Sequence, residues 1–229
     1  MKRRRRPLFN LPNVLTLSRF FFAPVMLILV ENMQDPVENS QTWKVTLAAI
    51  IVLGVTLLTD LFDGMAARAR GEVTNFGKIM DPVADSTFFM TLFFGLSACR
   101  RFGAQVSLWF PMLILYREIA IHILRRYAAL KGNAVPAKMS GKIKTFTQGV
   151  GLSLFFVLTF IRDWMVAESG ESPISEGFLQ SFIFWLCCYT VAVTYWSLIE
   201  YSKDVPELIA EYINPPEDGN DSTNKRESA

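Results

Sequence analysis

Six apolar runs set the limits on this fold. They cover approximately Val14–Val30, Val45–Leu61, Val83–Ala98, Val106–Leu124, Phe146–Ile161 and Phe178–Ile199, each near the roughly 20 residues an α-helix needs to cross a bilayer. Lipid offers no partner to a backbone N–H or C=O, so only helices and closed barrels span it. The period-2 alternation of a barrel strand is absent from these runs, which leaves helices. The expected fold class is an all-α integral membrane protein with six transmembrane helices. Composition agrees, since 51% of the residues are apolar and Phe alone occurs 19 times. A chain of 229 residues suits one domain or at most two.

Orientation follows from where Lys and Arg fall, because they collect in cytoplasmic loops. An N-terminus in the cytoplasm and six crossings put Lys2–Arg6, Arg68, Arg70 and Lys78 inside. Arg117, Arg125, Arg126, Lys131, Lys138, Lys142 and Lys144 join them, as do Lys203, Lys225 and Arg226. Lys44, Arg100, Arg101 and Arg162 are left outside, and Arg19 lies within the first helix. The bias predicts cytoplasmic N- and C-termini in a multi-pass cell (inner) membrane protein. Lys2–Arg6 would also serve as the n-region of a signal peptide, but Arg19 and Pro24 interrupt the run behind it and no small-residue cleavage site follows. The expected division is a basic segment over 1–12, a six-helix transmembrane domain over 13–203 and a tail over 204–229. That tail, rich in Pro, Asp, Asn and Ser, has the composition of a disordered segment. No internal repeat marks an inverted-repeat transporter.

Cys99, Cys187 and Cys188 lack any CxxC or metal spacing and read as membrane-buried thiols. The single histidine, His122, excludes a multi-His metal site; in an apolar helix with basic neighbours it reads as a packed or interfacial residue.

Against this apolar background the acids stand out. A charged Asp near mid-bilayer costs at least about 2.5–3.5 kcal/mol, yet Asp60 and Asp63 close the second run while Asp81 and Asp85 precede or open the third. Spacings of i, i+3 and i, i+4 put each pair on one helix face. About 17 residues connect the pairs, so the two helices are expected as antiparallel neighbours with their acids facing. Four carboxylates at one depth repel unless cations intervene, and hard divalent ions with oxygen ligands, Mg²⁺ or Mn²⁺, answer that need. Two such ions form a clamp suited to displacement at phosphorus. Gly64, Gly77 and Ala67 leave room for a close approach, Arg68 can meet a phosphate or hold an Asp, and Pro82 suits a first helical turn. The competing readings are solvated interface acids and the ion site of a cation transporter. A transporter would line a path through the membrane with its acids, whereas these gather at one face.

The string Asp60-x2-Asp63-Gly64-x2-Ala67-Arg68-x8-Gly77-x3-Asp81-x3-Asp85 resembles, without a mismatch, the signature of the CDP-alcohol phosphotransferases. The resemblance implies six membrane helices, a homodimer, and transfer of a phosphoalcohol or phosphatidyl group from a CDP-linked donor to an alcohol, with release of CMP. It also implies that Asp60, Asp63, Asp81 and Asp85 hold two divalent cations on the pyrophosphate. Asp85 would in addition be the general base, and Gly64, Ala67, Arg68 and Gly77 would border the CDP pocket.

Three further stretches resemble the phosphatidylglycerophosphate synthases of that family. Asn13, Thr16 and Arg19 form a polar stripe at i, i+3, i+6 in a PN-x-LT-x-x-R start, which the resemblance places beside the nucleotide; capping by Asn13 with a snorkelling Arg19 is the alternative. Arg117-Glu118-Ile119 and Gly141-Lys142-Ile143-Lys144-Thr145 are the other two. Arg117, Lys142, and with them Lys138 and Lys144, are expected to meet the phosphate of an anionic acceptor, Arg bidentately and Lys as a point charge. Positive-inside anchoring remains open for Lys142 and suffices for Arg125, Arg126 and Lys131. Where many such synthases follow the last Asp with Lys, this chain has Ser86. The implied partners are CDP-diacylglycerol, sn-glycerol 3-phosphate and membrane lipid, with inositol phosphate, serine or phosphatidylglycerol as alternative acceptors. No nucleic-acid partner is expected.

Overall fold

A computed structural model describes residues 11–69, 75–130 and 139–202. These residues form six helices and no strand: α1 Leu11–Glu31, α2 Thr42–Ala69, α3 Asn75–Ala98, α4 Trp109–Leu130, α5 Met139–Ser169 and α6 Glu176–Ser202. Each apolar run falls on one helix, with a difference at the start of the fourth. Val106 belongs to the turn before α4, where its N–H donates to Phe102 O at 2.9 Å and its side chain is buried. That turn needs a glycine, because a Cβ on Gly103 would stand 2.6 Å from the carbonyl oxygens of Ser97 and Cys99. Pro82 also departs from expectation. α3 begins at Asn75, so Pro82 lies inside the helix and leaves the Lys78 carbonyl without its i+4 donor.

Among the described residues, α1, α2, α5 and α6 are long and apolar enough to cross a membrane. The chain is a membrane protein. Polar residues interrupt the other two helices, Asp81 and Asp85 in α3 and Arg117 and Glu118 in α4. Large apolar side chains such as Phe21, Ile51 and Trp185 point outward, where a hydrocarbon solvent makes their exposure costless.

The helices close a circuit. α1 packs on α2 and α3, α2 on α5, α5 on α6, α6 on α4, and α4 on α3. The spacing of the acid pairs expects α2 and α3 side by side. Instead α1 packs against both, and among the described residues α2 and α3 make little contact with each other. Inside the ring, Phe88, Leu92 and Leu96 of α3 recur at helical spacing and meet Met26 and Val30 of α1 in one buried core. Phe155 packs edge-on to Phe102 at 5.0 Å and stacks with Phe182 at 6.4 Å.

One end of the ring is closed by a buried ionic latch. Arg101, in the turn after α3, donates to Asp163 at 3.0 and 2.8 Å, to Glu176 at 2.9 and 2.8 Å, and to Gln34 O at 3.2 Å. Thr46 of α2 adds a 2.9 Å hydrogen bond to Asp163, and Arg162 approaches Glu176 at 3.0 Å. Burial alone would lower the pKa of Arg101, but its hydrogen bonds to Glu176 and Asp163 hold it above the ordinary value. Cys99 beside it is a buried free thiol donating to Met33 O at 3.3 Å, and burial pushes its pKa up. A thiol so held is inert.

Candidate active site

Opposite the latch, α1 presents Thr16 and Arg19 one turn apart, where α1 packs against both α2 and α3. The Arg19 guanidinium, fully shielded from solvent, lies 2.9 Å from Asp60 of α2 and 2.5 Å from Asp85 of α3. Thr16 donates to Asp81 at 2.5 Å. A single α1 face thus gathers three of the four sequence-predicted acids. The snorkelling reading of Arg19 does not hold, because a guanidinium flanked by two carboxylates gains more from these pairs than from reaching for water.

Beyond Asp81 and Asp85 opens a cavity of about 510 Å³, walled by α3, α4 and α5. Its far side is built around Glu118, which accepts from Arg117 at 2.9 Å, from Ser86 at 3.0 Å and from Lys144 Nζ. Arg117 also donates to Ser197 of α6 at 2.6 Å. Arg117, Glu118 and Lys144 are all buried. Two basic side chains share one carboxylate there, so basic groups outnumber acids on that wall, which faces the carboxylates of α3. Such a cavity suits a ligand with an anionic end and a reactive end.

Ser86, which donates to Glu118, also stands 3.2 Å from His122 Nε2. His122, expected as a packed or interfacial residue, is half-buried on the cavity wall. Helical spacing carries the signal for this wall: His122 follows Glu118 by four residues on α4, and Gln148 follows Lys144 by four on α5.

The structure brings Arg117 and Lys144 together as cavity residues and brings Thr16, Arg19, Asp60, Asp81 and Asp85 together around α1. Gly77 sits in the first turn of α3 and is not among the residues lining the cavity. Asn13, Asp63, Gly64, Ala67, Arg68 and Lys142 have their side-chain surroundings outside the described residues, and Lys138, the N-terminal basics and the tail lie outside them altogether. Among the described residues, no three of His, Cys, Asp and Glu gather closely enough to hold a metal ion.

Comparison with known proteins gives a consistent picture. A family model described as CDP-alcohol phosphatidyltransferase matches residues 9–199. The "Probable phosphatidylglycerophosphate synthase" of Mycobacterium tuberculosis is 34% identical over 151 residues, 66% of this chain and 68% of that one. The "CDP-diacylglycerol--glycerol-3-phosphate 3-phosphatidyltransferase" of Bacillus subtilis is 35% identical over 153 residues, 64% of this chain and 76% of its own. A protein of the same name from Rickettsia typhi is 30% identical over 195 residues, 85% of this chain and 97% of its own.

Proposed function

The chain belongs to the CDP-alcohol phosphatidyltransferase family, a family of transferases, and on that premise we propose that it moves the phosphatidyl group of CDP-diacylglycerol to sn-glycerol 3-phosphate, giving phosphatidylglycerophosphate and CMP. The names of its relatives support the substrates. The observation that carries the reading is the two-signed cavity, with Asp81 and Asp85 on one wall and Arg117 and Lys144 on the other.

Asp60, Asp63, Asp81 and Asp85 would hold two divalent cations, Mg²⁺ or Mn²⁺. Their oxygen-only donor set, directed in the described three toward one α1 face, fits hard ions. Bound there, the cations supply charge neutralisation along the donor pyrophosphate. Asn13, Thr16, Arg19, Gly64, Ala67, Arg68 and Gly77 border the nucleotide. Arg117 and Lys144, with Lys142 and Lys138, bind the acceptor phosphate and aim its primary hydroxyl at Asp85. Asp85 takes the hydroxyl proton, the oxygen attacks the β-phosphorus, and the bond from that phosphorus to the CMP oxygen breaks. All six helices cross the inner membrane with both termini in the cytoplasm, and the cavity opens there.

The test is release of radiolabelled CMP by the purified protein in mixed micelles with CDP-diacylglycerol and Mg²⁺, with glycerol 3-phosphate, inositol phosphate, serine and phosphatidylglycerol compared in parallel. Release with glycerol 3-phosphate alone, lost on chelation, is the expected result. Release with a different acceptor overturns the roles of Arg117 and Lys144, and none with any acceptor overturns the reaction class.

A further inference from the structure

Electrostatic capture of a phosphate by Arg117 and Lys144 does not by itself select one alcohol among many phosphorylated ones. Something else in the cavity must read the rest of the acceptor. Gln148 lines the cavity, is only 2% exposed, and its Nε2 has no hydrogen-bond partner. An amide donor left so costs about 1–3 kcal/mol, and buried polar groups are satisfied in the great majority of cases. Gln148 lies one helical turn beyond Lys144, about 6 Å further along the α5 axis.

We propose that Gln148 is a specificity-determining residue whose side-chain amide donates to the acceptor hydroxyl that does not react. The proposal rests on the acceptor assignment above. A three-carbon phosphorylated polyol held by its phosphate at Arg117 and Lys144, with its terminal hydroxyl at Asp85, has one polar group left, the hydroxyl on the middle carbon. Gln148 supplies the buried donor that this oxygen needs. An analogue without that hydroxyl leaves the amide unpaired in the complex, and a site built to hydrogen-bond a hydroxyl rejects such analogues far more strongly than an apolar pocket rejects a missing methylene.

The test compares kcat/KM for glycerol 3-phosphate with that for 3-hydroxypropyl phosphate, which has the same chain and lacks only the middle hydroxyl. Full-length protein is assayed in mixed micelles with CDP-diacylglycerol and Mg²⁺. Wild type is expected to favour glycerol 3-phosphate by on the order of 10- to 100-fold. Gln148→Met, close in size and without a donor, should lose that preference through a fall on glycerol 3-phosphate alone. Partial misfolding lowers both rates together and cancels in the ratio, and Gln148→Asn, which keeps a donor, should retain part of the preference. Equal losses of Gln148→Met on both acceptors, or no loss on either, overturn the proposal. Wild type that does not use glycerol 3-phosphate overturns the acceptor assignment, and that failure appears before any variant is made.

Discussion

Arg19 of α1 and Asp85 of α3 form an ion pair 2.5 Å apart, with the guanidinium wholly buried and 30% of the Asp85 side chain open. The same guanidinium holds Asp60 at 2.9 Å. A cation from the first helix therefore stabilises acids from the second and third, helices that make little direct contact among the described residues. Arg19→Gln should destabilise the protein by about 1–3 kcal/mol, below the 3–5 typical of a pair buried on both sides, because Asp60 and Asp85 keep side-chain exposures of 48% and 30%. Thermal unfolding in detergent measures this. Added Mg²⁺ should raise the Tm of the variant more than that of wild type, since the acids left without Arg19 gain most from another cation.

Asp85→Asn keeps the shape of the side chain and removes the base. CMP release should fall by about 10²–10⁴-fold, with CDP-diacylglycerol binding largely retained in an equilibrium binding assay. Normal turnover in this variant would remove Asp85 from the chemistry.

Arg117→Lys preserves the charge and loses the planar fork that bonds Glu118 and Ser197 together. KM for glycerol 3-phosphate should rise by about 10- to 100-fold, the scale of a lost charged hydrogen bond, while KM for CDP-diacylglycerol stays within error. Steady-state kinetics with each substrate varied in turn reads the difference. A rise in the donor KM alone would move Arg117 to the nucleotide side.

At the opposite end, Arg101→Met leaves Asp163, with no solvent exposure at all, without its bidentate partner. The expected cost is about 3–5 kcal/mol. Arg101→Met with Asp163→Asn should cost less than the sum of the two single changes, because no charge is then stranded. Folded protein from either variant should keep its kcat/KM, a separation that thermal unfolding and CMP release together resolve.

The six helices were legible because apolar run length is a property of contiguous residues, and the acid pairs because i, i+3 and i, i+4 spacing is local. Neighbour relations were not. A short connection between Asp63 and Asp81 reads as a helix pair, yet α1 packs against both α2 and α3, and only packing decides that. Arg101 and Arg162, counted in the sequence as outer basic residues, turned out to be paired to Asp163 and Glu176. Glu118 gathers Ser86, 32 residues before it, and Lys144, 26 residues after it, a convergence that no local pattern announces. Gln148 was hidden for another reason. A neutral amide in an apolar helix carries no charge signal, and its importance lies in a partner that the protein itself does not provide.

The latch at Arg101 also has a chronology. Its carboxylate partners Asp163 and Glu176 lie 62 and 75 residues further along the chain, so during synthesis the guanidinium is made long before anything can neutralise it. Until α5 and the start of α6 are made, that side of the ring has nothing to close it. A chain halted before Glu176 holds Asp163 but lacks the second carboxylate, so the latch is complete only once α6 has begun.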